Sequence, residues 1–276
     1  MTAVLATSRC GSSKVSKDLG IQLYTVRNEV SKDLANTLKE VAAAGYKNIE
    51  LYGYNNRQFF GKPVSEMAAL LKQNNLYTKS GHYGLNDFLY NADYNWDSWK
   101  YLVEDANLLG NKYIIVPYLD DKHRTADDYK RVAERLNKGG EMAREAGMVA
   151  GYHNHDFELK DLGGQSGWDI LLAGTDPKNV VFEMDIYWVE YAGQKPGDWF
   201  KKHPGRWKLW HVKDMEAKTA GDEKGQTCEV GKGIINWKEI FAQHELAGLE
   251  YPLVEQEQYT RPVFECIRMS ADYMKS

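Results

Sequence analysis

One pattern recurs along the chain and restricts its fold more than any other feature. A helix-like stretch ends in glycine, and within a few residues an apolar run rich in β-branched side chains begins. Ala42, Ala43, Ala44 and Gly45 lead to Ile49, Glu50 and Leu51. Leu108, Leu109 and Gly110 lead to Tyr113, Ile114, Ile115 and Val116. Glu145, Ala146 and Gly147 lead to Val149, Ala150, Gly151 and Tyr152, and Leu246, Ala247 and Gly248 lead to Tyr251, Pro252, Leu253 and Val254. Glycine just past a helix end takes the left-handed conformation without strain. Short strands alternating with helical stretches specify βα units and a parallel sheet.

Extending this reading gives strands at 21–26, 48–53, 78–83, 113–118, 149–155, 180–186, 208–214 and 253–258. Helical stretches fall between and after them, at 32–44, 64–74, 97–109, 126–146, 168–173, 196–202, 237–247 and 262–273. Eight of each make a single α/β (β/α)8 TIM barrel the economical fold, and the 276 residues are close to the ~250 typical of one. An open doubly wound sheet is the alternative, but no glycine-rich dinucleotide loop follows the first strand. We expect the barrel domain to cover 20–276. Residues 1–19 form a leader, either a polar segment or the remnant of a signal segment at residues 1–13, so both a cytoplasmic and a periplasmic or secreted location stay open.

Side chains alternate faces along a strand, and in a barrel one face meets the helices while the other meets the axis. The apolar residues Ile21, Leu23, Ile49, Leu51, Met184, Trp210, Val212 and Val254 define the outer face. The inward face near the C-terminal strand ends then holds Glu50, His82, His153, His155, Glu183, Asp185, His211, Lys213, Glu255 and Glu257. Burying unpaired charges costs several kcal/mol each in effect. A divalent cation is the simplest compensation, and barrel enzymes keep their active sites at this end. Any one of these residues alone reads as structural; four of the chain's seven histidines on strand ends, beside this many carboxylates, read as a site.

Composition removes several function classes. The net charge of −4 gives no electrostatic reason to bind a nucleic acid. No stretch reaches the ~18–20 apolar residues of a membrane span. The 3 cysteines, Cys10, Cys228 and Cys266, lack metal-ligand spacing and predict no disulfide framework. The 8 Trp, 18 Tyr and 8 Phe suit carbohydrate sites and cores alike, with the core the commoner destination.

Several segments also carry a family resemblance: Gln22, Leu23 and Tyr24; Asn48, Ile49 and Glu50; Tyr152, His153, Asn154, His155, Asp156, Phe157 and Glu158; Met184, Asp185, Ile186, Tyr187 and Trp188; His211, Val212, Lys213 and Asp214; and Val254, Glu255 and Gln256. From about Gly20 to the C-terminus the chain resembles the xylose-isomerase-like barrels, a family of sugar isomerases, epimerases, inosose dehydratases and abasic-site endonucleases. The resemblance implies a metal held by Glu, Asp, His and Glu from strands five to eight. Asp185, His211 and Glu255 match the last three, whereas His153 stands where the epimerases carry a catalytic glutamate. Imidazole binds such metals too, so the metal site survives while the two-glutamate epimerisation does not carry over. Trp188 stands where the endonuclease branch has a metal-binding histidine, which argues against DNA repair. A Gly231, Lys232, Gly233 loop resembles one that closes over substrate in the family, though a simple turn reads equally well.

These readings predict one divalent ion (Mn, Zn, Co or Mg) on His153, Asp185, His211 and Glu255. Glu50 and His82 are expected to contact a small carbohydrate. His155 is expected to be the main acid/base group, with Glu158 and Lys213 assisting. The function expected is proton abstraction next to the carbonyl of a sugar or keto-sugar, of isomerase/epimerase type. A lyase or dehydratase acting by β-elimination on a keto-sugar or 3-keto-glycoside is the alternative, and a non-catalytic sugar-binding barrel a remoter one. A homo-oligomer stays open.

Overall fold

The computed structural model describes residues 17–84, 86–217 and 225–276. Most of the leader segment therefore lies outside the described residues. Eight parallel strands form the barrel: β1 (Gly20–Gln22), β2 (Asn48–Glu50), β3 (Ser80–His82), β4 (Tyr113–Val116), β5 (Val149–His153), β6 (Val180–Asp185), β7 (Trp207–Val212) and β8 (Tyr251–Val254). The sheet runs β2-β1-β8-β7-β6-β5-β4-β3. Bridges Asn48↔Tyr77 and Leu51↔Gly81, with His82 N donating to Leu51 O at 2.7 Å, join β2 to β3 and close the ring. All four glycines of the recurring pattern have positive φ: 97° at Gly45, 80° at Gly110, 77° at Gly147 and 80° at Gly248. That is the conformation their position after a helix requires.

The outer strand faces carry Ile21, Ile49, Ile114, Val116, Tyr152, Phe182, Met184, Trp210, Val212 and Val254 into the main core under the helices. A separate small apolar cluster of Tyr113, Ile115, Val181, Leu209 and Leu253 plugs the lower half of the barrel interior. Gly151 belongs to this plug by omission, since a Cβ there would meet Ile115 Cδ1 at 2.5 Å.

Several boundaries differ from the sequence reading, each for a local reason. The first strand stops at Gln22, because its side-chain oxygen accepts from Tyr24 N at 3.0 Å and caps a short 3-10 helix, Leu23–Val26. The helix expected at 32–44 breaks at Asp33, whose carboxylate accepts from Asn36 N at 3.0 Å and starts the second piece, Leu34–Ala43. The stretch 237–247 likewise splits into Trp237–Phe241 and His244–Ala247. The sixth strand runs directly into a helix not foreseen, Ile186–Tyr191, with Asp185 as its cap. After β2 the chain makes a three-stranded antiparallel excursion, Tyr54–Asn55, Gln58–Phe59 and Lys62–Pro63. Among the described residues no helix is long and apolar enough to cross a membrane.

Candidate active site and metal centre

Strand register brings the charged residues side by side. His153 on β5 pairs with Glu183 on β6, Asp185 on β6 pairs with His211 on β7, and Gln22 on β1 pairs with Glu50 on β2. Above them opens a cavity of about 570 Å³, floored by His82, His153, Lys213 and Glu255 and bordered by His155 and Glu257. Its walls are aromatic: Tyr24, Tyr52, Tyr54, Tyr118 and Trp188. None of these five was assigned a site role from sequence, although alternation put Tyr24 and Tyr52 on the inward face; all five lie outside the eight barrel strands.

The four expected metal ligands are neighbours but divide into two overlapping groups. Ligand atoms of Asp185, His211 and Glu255 lie within 4.8 Å of one another. His153 falls instead with His82, Glu183 and His211, again within 4.8 Å, and its Nε2 is 3.9 Å from Asp185 Oδ2. Lys213 sits across the first group, with Nζ 3.1 Å from Glu255, 3.5 Å from Asp185 and also paired to Glu257. His211 faces both groups: Nδ1 is 3.0 Å from Glu255 and Nε2 is 2.8 Å from Glu50. Oxygen and imidazole donors of this kind suit Mn, Zn or Co. The fully buried Glu50 and Glu183 each keep one oxygen, Oε1, without a hydrogen-bond partner. A buried acceptor left in that state is costly, and a cation would relieve it. These residues therefore fit a divalent metal.

Electrostatics follow from the crowding. Burial pushes the Glu183 carboxyl up, and Glu50 beside it adds to the effect, leaving it at about 7. Burial likewise raises Asp185 to about 6 against the pull of Lys213 and His211. Burial opposes ionisation of Glu50 and Glu255 too, but neighbouring cations outweigh it: His82 and His211 bring Glu50 to about 2, and Lys213 and His211 hold Glu255 well below the usual range. His211 is raised by Glu183 and Glu255 against burial, whereas burial and its histidine neighbours lower His153.

Two expected roles are corrected by position. Glu50 is fully buried and does not border the cavity; Gln22 Nε2 donates to its Oε2 at 2.8 Å and His211 shares the same oxygen. Like Asp185 and His211 it is buried just outside the cavity lining, where it braces His211. Glu158 is also fully buried away from the cavity, accepting from Tyr152 Oη at 2.6 Å and from His155 N at 2.8 Å. Burial pushes its carboxyl up to about 7. It fixes the backbone that carries His155 and has no path to a bound substrate.

His155 lies past the end of β5 yet borders the cavity. Its ring stacks on Phe157 at 5.5 Å and packs edge-on against Tyr118 at 5.2 Å, and its Nδ1 has no hydrogen-bond partner. Burial, helped by Lys213, lowers its pKa to about 3, so the ring is neutral at pH 7. The Gly231 to Gly233 segment turns away from the cavity. Gly231 N and Gly233 N donate to Asp214 Oδ2 at 2.8 and 3.2 Å, so here the segment is a turn pinned by a buried carboxylate.

Fold and site together define a barrel with a buried histidine and carboxylate cluster, able to hold a cation, beneath a cleft at its C-terminal end. The family profile described as "Xylose isomerase-like TIM barrel" matches residues 38–265, and the chain belongs to that family. It is 28% identical over 276 residues to an inosose dehydratase of Clostridium perfringens (strain 13 / Type A), covering 87% of this chain and 90% of that one. An inosose dehydratase of Lacticaseibacillus casei is 31% identical over 155 residues, a match spanning about half of each chain (50% and 51%). Among solved structures, a sugar phosphate isomerase/epimerase from Parabacteroides distasonis ATCC 8503 superposes with a TM-score of 0.82 at 29% identity, covering 94% of this chain and 98% of that one.

Proposed function

We propose that this chain is a divalent-metal-dependent enzyme that removes a proton next to the carbonyl of a keto-sugar and then expels the β-oxygen, a lyase of dehydratase type. The observation that carries the reading is the convergence of Asp185, His211 and Glu255 beside Lys213, with Glu255 and Lys213 bordering a cleft of monosaccharide size or larger and Asp185 and His211 buried directly behind them. A bound cation would polarise the substrate carbonyl and stabilise the enolate oxygen. His155 borders the cavity with a ring that burial keeps neutral, and it is the group we assign to take the proton. Lys213 carries a fixed positive charge that its carboxylate partners strengthen, and it steadies the negative charge left on the substrate. The electron pair of the broken C–H bond forms the enolate, its return forms the carbon–carbon double bond, and the β-oxygen leaves with the C–O pair and the proton that His155 took, as water or an alcohol.

Elimination is favoured over epimerisation by His153. Epimerisation needs two groups that can exchange protons on opposite faces of one carbon, and here the strand-five carboxylate is an imidazole packed on Glu183 at 3.1 Å. The dehydratase names of the curated relatives support the same choice. A second reading, isomerisation or epimerisation, is supported by the name of the Parabacteroides structure. Proton NMR in D2O separates the two, with 2-keto-myo-inositol and methyl 3-keto-glucoside as probes. Elimination gives an unsaturated ketone and loss of the β-substituent. Isomerisation gives deuterium at the carbon next to the carbonyl and a rearranged sugar. A protein that binds the probes but does neither is a sugar-binding barrel, and the proposal fails.

A further inference from the structure

Directly beneath the upper ligand group lies a second cluster that the chemistry above does not use. His82 Nε2 is 2.6 Å and His153 Nδ1 3.1 Å from Glu183 Oε2, and all three side chains are buried. Two imidazoles from β3 and β5 thus converge on one carboxylate from β6. Two imidazoles and a carboxylate are a ligand set that zinc and its neighbours accept. The same carboxylate leaves Oε1 without any partner although Glu183 is fully buried.

Charge points the same way. Glu50, Glu183, Asp185, Glu255 and Glu257 are linked through the histidines and Lys213 into one network. Five carboxylates against the single ammonium of Lys213 leave four negative charges when the imidazoles are neutral, as metal ligation requires. One divalent ion cancels half of that; two cancel all of it. Four of the five, all but the cavity-lining Glu257, are buried, and there an uncancelled charge is costly.

We propose that His82, His153 and Glu183 hold a second divalent cation, one layer deeper than the ion at Asp185, His211 and Glu255. The two sites divide the residues without conflict. His211 turns Nδ1 toward Glu255 at 3.0 Å and Nε2 toward Glu50 Oε2 at 2.8 Å, so with Nδ1 on the upper ion its Nε2–H would donate to Glu50. The deep ligands are then complete without His211. The deep ion neutralises the floor and locks the rings of His82 and His153, both of which border the cavity.

The test is metal stoichiometry, which does not depend on turnover. Full-length protein is stripped with chelator, saturated with CoCl2, freed of excess by gel filtration and analysed by plasma mass spectrometry together with its visible cobalt spectrum. The wild type is expected to hold two equivalents, and Glu183→Gln and His82→Asn one each, with the same band lost from both spectra. Asp185→Asn should also hold one, but lose the other band, so failure of the upper site is read separately from failure of the deep one. Circular dichroism establishes that each variant is folded, and the two deep variants sit on different strands, so one misfolding leaves the other to decide. Saturation of the wild type at one equivalent overturns the proposal, as does retention of two by a folded Glu183→Gln or His82→Asn.

Discussion

The barrel interior changes character within two residues on three of its strands, β6, β7 and β8. In its lower half Ile115, Val181, Leu209 and Leu253 form a dry apolar plug. Two residues further along the same inward faces stand Glu183 after Val181, His211 after Leu209 and Glu255 after Leu253, all buried. Both halves use the same strands and the same alternation. The lower half stabilises the fold, at ~1.5–3 kcal/mol for each large apolar side chain buried. The upper half spends stability, because each ion removed from water costs several kcal/mol before its partners repay it. The difference teaches that one strand can carry fold and chemistry in successive layers, so a substitution's effect should depend on its layer more than on its strand.

The sharpest way to break this comparison is to substitute inward residues of one strand pair in each layer. Asp185→Asn, in the upper layer, should cost about 10³-fold or more in kcat/KM, ~4 kcal/mol of transition-state stabilisation, with little loss of thermal stability. Steady-state kinetics and a melting curve on one preparation read both. Leu209→Ala, in the plug, should do the reverse: a loss of ~2–5 kcal/mol in denaturant unfolding with kcat little changed in the folded fraction. If Asp185→Asn destabilises as much as Leu209→Ala while keeping activity, the layers are not functionally distinct.

A third test concerns pH. Burial pushes the Glu158 carboxyl up from its ordinary value of 4.5 to about 7 in the folded chain. A carboxyl with a raised folded pKa favours the native state while it is protonated. Its contribution is therefore full below about pH 4.5 and is lost as pH rises toward 7, up to about 3 kcal/mol in total. Metal-free wild type should accordingly lose more stability between pH 5 and 8 than metal-free Glu158→Gln. Equal slopes for the two proteins would contradict this placement of Glu158. The smallest effect is expected at Glu50, which braces His211 from below the floor. Glu50→Gln should weaken metal binding by ~10–100-fold, measured by competition with a chelating dye, and leave substrate KM unchanged at saturating metal. A raised KM with unaltered metal affinity would put Glu50 in contact with substrate after all.

How much of this was legible in the sequence follows the same layers. Glycine punctuation revealed the barrel, because a left-handed residue commonly ends a helix and at four positions here, Gly45, Gly110, Gly147 and Gly248, that residue is glycine just before a strand. Alternation placed Glu183, Asp185 and His211 inward because β6 and β7 stay regular as far as Asp185 and Val212. It put Tyr24 on the inward face with Gln22 as well, and the ring does reach the cavity wall although the Gln22 side chain ends the strand. It also fixed a face without fixing a height. Glu50 shares its inward direction with His82, yet strand register and tilt leave Glu50 under the floor and His82 at the cavity. The aromatic wall from Tyr52, Tyr54, Tyr118 and Trp188 lies beyond the regular strands, in segments whose course tertiary packing decides.

The central claim is that the charged layer binds a divalent ion in order to remove a proton next to a carbonyl. Its most direct test is to follow 2-keto-myo-inositol and methyl 3-keto-glucoside by NMR in D2O with chelator-stripped, manganese-reloaded and His155→Gln enzyme. The account predicts proton loss next to the carbonyl, with an unsaturated product, from the reloaded enzyme on at least one probe. It predicts none from the stripped enzyme, and a large drop in His155→Gln with its metal still bound. Equal turnover by stripped and reloaded protein, or no proton loss from either probe by the reloaded protein, would contradict it.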